Sequence, residues 1–178
     1  MSISTTERRL RRAGIAALAR LQAIPIIVAL AGGVAALALA ASASASSPMP
    51  AAGVETYVPN LTFEKAADGN LFFRALDPGA KTGTFTGAQV ADFTLVLFKD
   101  ESFAFHGTLT FTGTAAGCGT GIVVFRFEGS GFLLPGGDAV ITRDHEEALP
   151  GAGTLPVHAG VDALGVGTTL TYTGEYHC

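Results

Sequence analysis

The sequence predicts an all-β domain, built as a small antiparallel barrel of about eight strands, behind an N-terminal helical signal segment. Three observations carry this. Phe103, Phe105, Leu109 and Phe111 fall on odd positions, with Gly107 and Gly113 in the same register, while Ala104, His106, Thr108, Thr110 and Thr112 fall between them. That period of two over 11 residues is a strand with one apolar face. No stretch after residue 45 holds an apolar period of 3.6 for three turns, and glycine, unfavourable in helices, recurs throughout.

The elements follow in order. Residues 1–45 read as an export signal. Arg8, Arg9, Arg11, Arg12 and Arg20 make a basic start, Ala23 to Ala41 runs 19 residues without a charge, and Ala41-Ser42-Ala43 and Ala43-Ser44-Ala45 are small-x-small cleavage sites. The competing reading is an uncleaved membrane anchor over residues 23–41, since that run can just span a bilayer core of about 30 Å. Pro25, Gly32 and Gly33 weaken a spanning helix. Either way the location is secreted or extracytoplasmic, and membrane contact is confined to this segment. The pairs Arg8-Arg9 and Arg11-Arg12 lack the following residues of a twin-arginine signal, and no cysteine lies near the cleavage sites to take a lipid.

Residues 46–53, rich in Ser, Pro and Ala, read as a disordered linker. Residues 54–178 read as one domain. Strands are expected at Thr62–Glu64, Leu71–Leu76, Thr82–Thr86, Val90–Phe98, around 103–113, around 123–128, and at Gly131–Leu134 and Ala139–Arg143 about the turn Pro135 to Asp138. A last strand alternates Leu170, Tyr172 and Tyr176 with Thr169, Thr171, Thr173, Glu175 and His177. Threonine rows suit a solvated strand face. A barrel hides its edge strands, and glycines within strands (Gly83, Gly87, Gly107, Gly113, Gly129 and Gly131) suit its bends. The alternative is a β-sandwich with charged edges.

Composition narrows the function classes. Cleavage after Ala45 leaves six basic against fourteen acidic side chains, so the net charge moves from −4 to −8. Such a surface repels phosphate backbones and argues against nucleic acid. The two cysteines, Cys118 and Cys178, both lie in the exported part. In an oxidising compartment their even count argues for one disulfide, closing a loop worth about 4 kcal/mol of chain entropy; the alternative is two unpaired thiols or a bridge between chains.

The segments Phe111 to Gly121, Gly151 to Thr154 and Thr171 to Cys178 resemble the C-terminal half of small exported proteins of high-GC bacteria, largely uncharacterised, whose barrel is similar to that of allene oxide cyclase. The resemblance covers about 70 residues. It implies a barrel and supports the Cys118–Cys178 pairing. No segment matches the plant cyclase's active site, so it implies no catalytic residue, and no cofactor is expected. Leu155 to His158 interrupts the tight turn expected after Gly151.

Candidate sites are few. All twelve phenylalanines lie beyond the signal, and the chain has no tryptophan. Their alternation makes either a packed core or an apolar interior that holds a small ligand, with Phe103, Phe105, Phe111 and Phe125 as its lining. The run Arg143 to Glu147 reads as a polar loop. His145 and Glu146, with His158, are candidate metal ligands or acid–base groups, but the spacing matches no His-Glu-x-x-His template. His106 and His177 would face each other if their strands were neighbours. Ser102 and Ser130 lie in no nucleophile elbow, and Asn60 opens a glycosylation sequon. Three functions follow: a non-catalytic secreted barrel for a small apolar ligand, an envelope or extracellular interaction module, and a barrel enzyme using the loop at His145.

Overall fold

The computed structural model of the chain describes residues 47–178; the expected signal segment lies outside them. Nine strands follow: β1 Met49–Tyr57, β2 Leu61–Ala67, β3 Asn70–Gly83, β4 Phe85–Leu97, β5 Ser102–Ala115, β6 Gly119–Leu133, β7 Ala139–Ala148, β8 His158–Val166 and β9 Thr169–His177. Every sheet pairing is antiparallel, in the order β1-β9-β8-β7-β6-β5-β4-β3-β2. A further pairing of β1 with β3 closes eight strands into a barrel, and β2 adds a ninth on the free part of β3. The expected barrel is therefore the observed fold. No helix of the described residues is long and apolar enough to cross a membrane.

Several local expectations are corrected. Met49 to Gly53, read as linker, belong to β1: Ala51 is buried and Gly53 sits against Tyr172, where a Cβ would lie 2.4 Å from its hydroxyl. Thr82–Thr86 is not one strand but the end of β3 and the start of β4, broken at Thr84 after Gly83 with φ 96°. β8 was not expected, because Ala159, Val161 and Ala163 are a weak apolar row among glycines. The polar run Arg143 to Glu147 is not a loop; it lies within β7.

Pairing runs on one register through β4, β5 and β6 without interruption. Inward glycines on β6 leave room for rings on β5. A Cβ on Gly129 would lie 2.6 Å from Phe105 and one on Gly131 2.4 Å from Phe103. The barrel ends differ. One carries the β5–β6 turn, the β7–β8 connection and the Cys118–Cys178 disulfide, whose Cα atoms are 5.4 Å apart. The other carries the β4–β5, β6–β7 and β8–β9 turns and the β2 strand.

Candidate functional site

At the disulfide end the barrel is filled. Phe85, fully buried, packs edge-on against Phe111, Phe125 and Tyr176, with ring centroids 5.6–5.9 Å apart, and against Tyr172 at 6.1 Å. The two tyrosines are buried with their hydroxyls used. Tyr172 donates to Thr82 O (2.9 Å) and accepts from Phe85 N–H (3.0 Å), and Tyr176 donates to Ala116 O (2.9 Å). Such pairing is what buried hydroxyls require.

At mid-height stand four buried charges, Glu55 (β1), Lys81 (β3), Arg143 and Glu146 (β7). Lys81 Nζ lies 3.1 Å from Glu55 and 2.5 Å from Glu146. Arg143 makes a fork to Glu55, 2.9 Å for each bond, and also bonds Glu146. In a strand Arg143 and Glu146 would face opposite sides. A bulge resolves this: Arg143 pairs with Gly129 and His145 with Glu128, leaving Asp144 extra, so both flanking charges point inward. Burial raises the carboxyl pKa of Glu55, but Arg143 and Lys81 outweigh it and bring it down to about 2. Burial also lowers that of Arg143, and its two carboxylate partners overcome this and hold it above the ordinary arginine value.

The tetrad separates two environments. Lys81 Nζ lies over the rings of Tyr172 (4.8 Å) and Phe125 (5.4 Å), on the filled side. Arg143 lies over Phe127 (4.7 Å), on the other side. There the barrel is hollow. A cavity of about 400 Å³ is lined by Phe93, Leu95, Phe103, Phe105, Phe127 and Ile141 among others, with Glu55, Tyr57, Asp77, Asp138, Arg143 and Thr168 as its polar side chains. The aromatic walls touch one another, with Phe93, Phe105 and Phe127 mutually 5.8–6.0 Å apart. Leu61, Phe73, Leu97, Leu133 and the 137–139 turn continue the lining toward the mouth.

Three polar details mark the lining of this cavity. Tyr57 Oη donates to Gly167 O at 2.5 Å, and burial pushes its pKa up to about 12. Asp77 accepts the Asn60 N–H at 2.7 Å, and burial raises its carboxyl above the ordinary value. Among the described residues Arg143 Nε–H has no partner, although it is buried. An unmatched buried donor costs about 1–3 kcal/mol.

Of the residues singled out from sequence, Phe103 and Phe105 line the cavity, whereas Phe111 and Phe125 lie in the filled half. His145, Glu146 and His158 are not brought together. His145 is exposed on the outer face, 3.5 Å from Glu147, while Glu146 points inward and His158 stacks on His177 with ring centroids 4.9 Å apart. Among the described residues no group of three or more His, Cys, Asp or Glu is placed to hold a metal ion. His106 is not beside His177 but bonds Thr94 across β4–β5. Ser102 bonds Asp100 in a turn. Sequence reasoning missed Glu55, Tyr57, Asp77 and Lys81. Their signal is odd parity in β1 and β3, the parity of buried Ala51 and Ala75.

No protein-family model matches the chain, and neither does any curated protein. Among solved structures it is similar to a protein of unknown function from the DUF3224 family of Shewanella oneidensis MR-1, with a TM-score of 0.54 at 15% identity, covering 74% of this chain and 97% of that one. That similarity supports the barrel fold.

Proposed function

We propose that this protein is an extracytoplasmic, non-catalytic barrel that holds a small, mainly apolar molecule in its open half. The observation that carries the reading is the cavity of about 400 Å³ walled by Phe93, Phe103, Phe105 and Phe127. Its size and its mostly apolar lining with a few convergent polar groups are those of small-molecule sites. The disulfide and the signal-like N-terminus agree with an oxidising, exported setting. The resemblance to exported barrels of the allene oxide cyclase type agrees with it as well, without supplying an activity. An interaction module would need no hollow interior.

The test is titration with a neutral fluorescent probe, N-phenyl-1-naphthylamine. We expect saturable binding that Ile141→Trp abolishes by filling the cavity and that His145→Ala, on the outer face, leaves intact. Binding unchanged by Ile141→Trp, or none at all, would overturn the reading.

A further inference from the structure

We propose that the molecule held in the cavity is a small amphiphilic amine, its ammonium group seated on Asp77 and its apolar body against Phe93, Phe105 and Phe127; the proposal rests on the ligand-holding reading above. Asp77 lies on β3 with the parity of buried Ala75 and Lys81, so its side chain points into the barrel, where it is 4% exposed and lines the cavity. One carboxylate oxygen, Oδ1, accepts the Asn60 N–H. The other, Oδ2, makes no hydrogen bond or ion pair among the described residues, yet it is not sealed in by them as Gln89 Oε1 and Arg143 Nε are. It is an acceptor that a molecule in the cavity can reach.

The charges around the cavity select its partner. Three acids line it, Glu55, Asp77 and Asp138, against one base, Arg143. That base is already held by Glu55 and Glu146, and with Lys81 these form a neutral group. Asp77 is therefore a carboxylate without a counter-charge beside an apolar space, and burial raises its pKa accordingly. An anionic ligand would add a second uncompensated charge there. A neutral donor would bond Oδ2 and leave the charge unmatched. An ammonium supplies both the donor and the positive charge. Tyr57 offers it a second acceptor. Its hydroxyl gives its proton to Gly167 O and lines the same cavity, near enough to Asp77 for the carboxylate, after burial, to raise the phenol's pKa. Aromatic ring faces suit both a cation and a hydrocarbon chain.

The experiment uses ligands of matched shape: 4-phenylbutylamine, 4-phenylbutan-1-ol, pentylbenzene and 4-phenylbutanoate. Each displaces N-phenyl-1-naphthylamine from the full exported chain at about pH 7.5, where the amine is protonated and the acid ionised. Only probe that Ile141→Trp excludes is counted, so attraction to the acidic outer surface does not register. We expect the amine to compete at least about tenfold more strongly than the alcohol or pentylbenzene, and the carboxylate to compete least. Asp77→Asn keeps an acceptor for the Asn60 N–H and removes the charge; it should bring the amine to within about threefold of the alcohol. Contacts in the unaltered protein decide the site should that variant fail to fold: the methylene beside the ammonium should show nuclear Overhauser effects to the Asp77 methylene and the Tyr57 ring. Equal competition by amine and alcohol would overturn the charge requirement. An amine preference that survives Asp77→Asn, or contacts to Asp77 from the phenyl end alone, would overturn the seat on Asp77. In all these cases the probe still binds and Ile141→Trp still excludes it, so the ligand-holding reading survives. Failure of the probe to bind would remove both.

Discussion

The two halves of one barrel interior are built from the same residue type and to different ends. Around Phe85, fully buried, four aromatic neighbours pack with ring centroids 5.6–6.1 Å away. Around Phe105, equally apolar, the rings of Phe93, Phe103 and Phe127 stand against the wall and leave the centre empty. The difference comes from what opposes the rings. In the filled half Tyr172 and Tyr176 of β9 reach across to Phe85. In the open half the lining includes small residues, Ala91, Ala139 and Gly167 among them. The buried tetrad lies between the two.

Truncation should expose that difference most strongly. Phe125→Ala, in the filled half, should cost about 5 kcal/mol, the upper end for a buried phenylalanine, because a new cavity opens in close-packed surroundings. Phe105→Ala, beside space that already exists, should cost about 2 kcal/mol less. Urea midpoints at unchanged slope measure both, and equal losses would mean that the open half is as tightly packed as the other. Cys118→Ser comes next. It frees the filled end and should cost about 4 kcal/mol, lowering Tm by more than about 10 °C; an unmoved Tm would make the bridge energetically idle.

Lys81→Met should cost about 3 kcal/mol, since it leaves Glu55 and Glu146 with Arg143 alone. The double variant Lys81→Met with Glu146→Leu should recover most of that loss, and a deeper loss would show that the tetrad is worth more than its volume in apolar side chains. The pH dependence should be of similar size. Glu55 is held at about 2 against an ordinary 4.5, so its contribution is complete above about 4.5 and is lost as pH falls toward 2. Tyr57 acts at the other end. Raised from 10 to about 12, it stabilises fully below 10 and loses this as pH rises through 12. Stability of Glu55→Gln protein that falls just as steeply below pH 4.5 would contradict the assignment.

Much of this fold is legible in the sequence, and the reason is the period of two. Phe103 to Gly113 tells which face looks inward, and the paired cysteines close the end of the chain. Period two gives face but not height along the barrel axis. That is why Phe103, Phe105, Phe111 and Phe125 read alike although two line the cavity and two fill the opposite half. The bulge at Asp144 hides Arg143 and Glu146 more completely, because it breaks the parity on which the reading depends. Lone charges in strands, such as Glu55 and Lys81, look solvated unless their parity is compared with neighbouring small residues. Met49 to Gly53 read as linker because the burial of Ala51 and the contact of Gly53 with Tyr172 depend on β9, more than a hundred residues away.

The central claim, a barrel filled at one end and hollow at the other, is tested most directly by methyl NMR under xenon pressure. Xenon enters empty apolar space. The account predicts shifts at the methyls of Ala91, Leu95 and Ile141, saturating together, with Leu109, Ala115 and Val123 unmoved. Shifts of similar size in both sets, or shifts confined to the second, would contradict it.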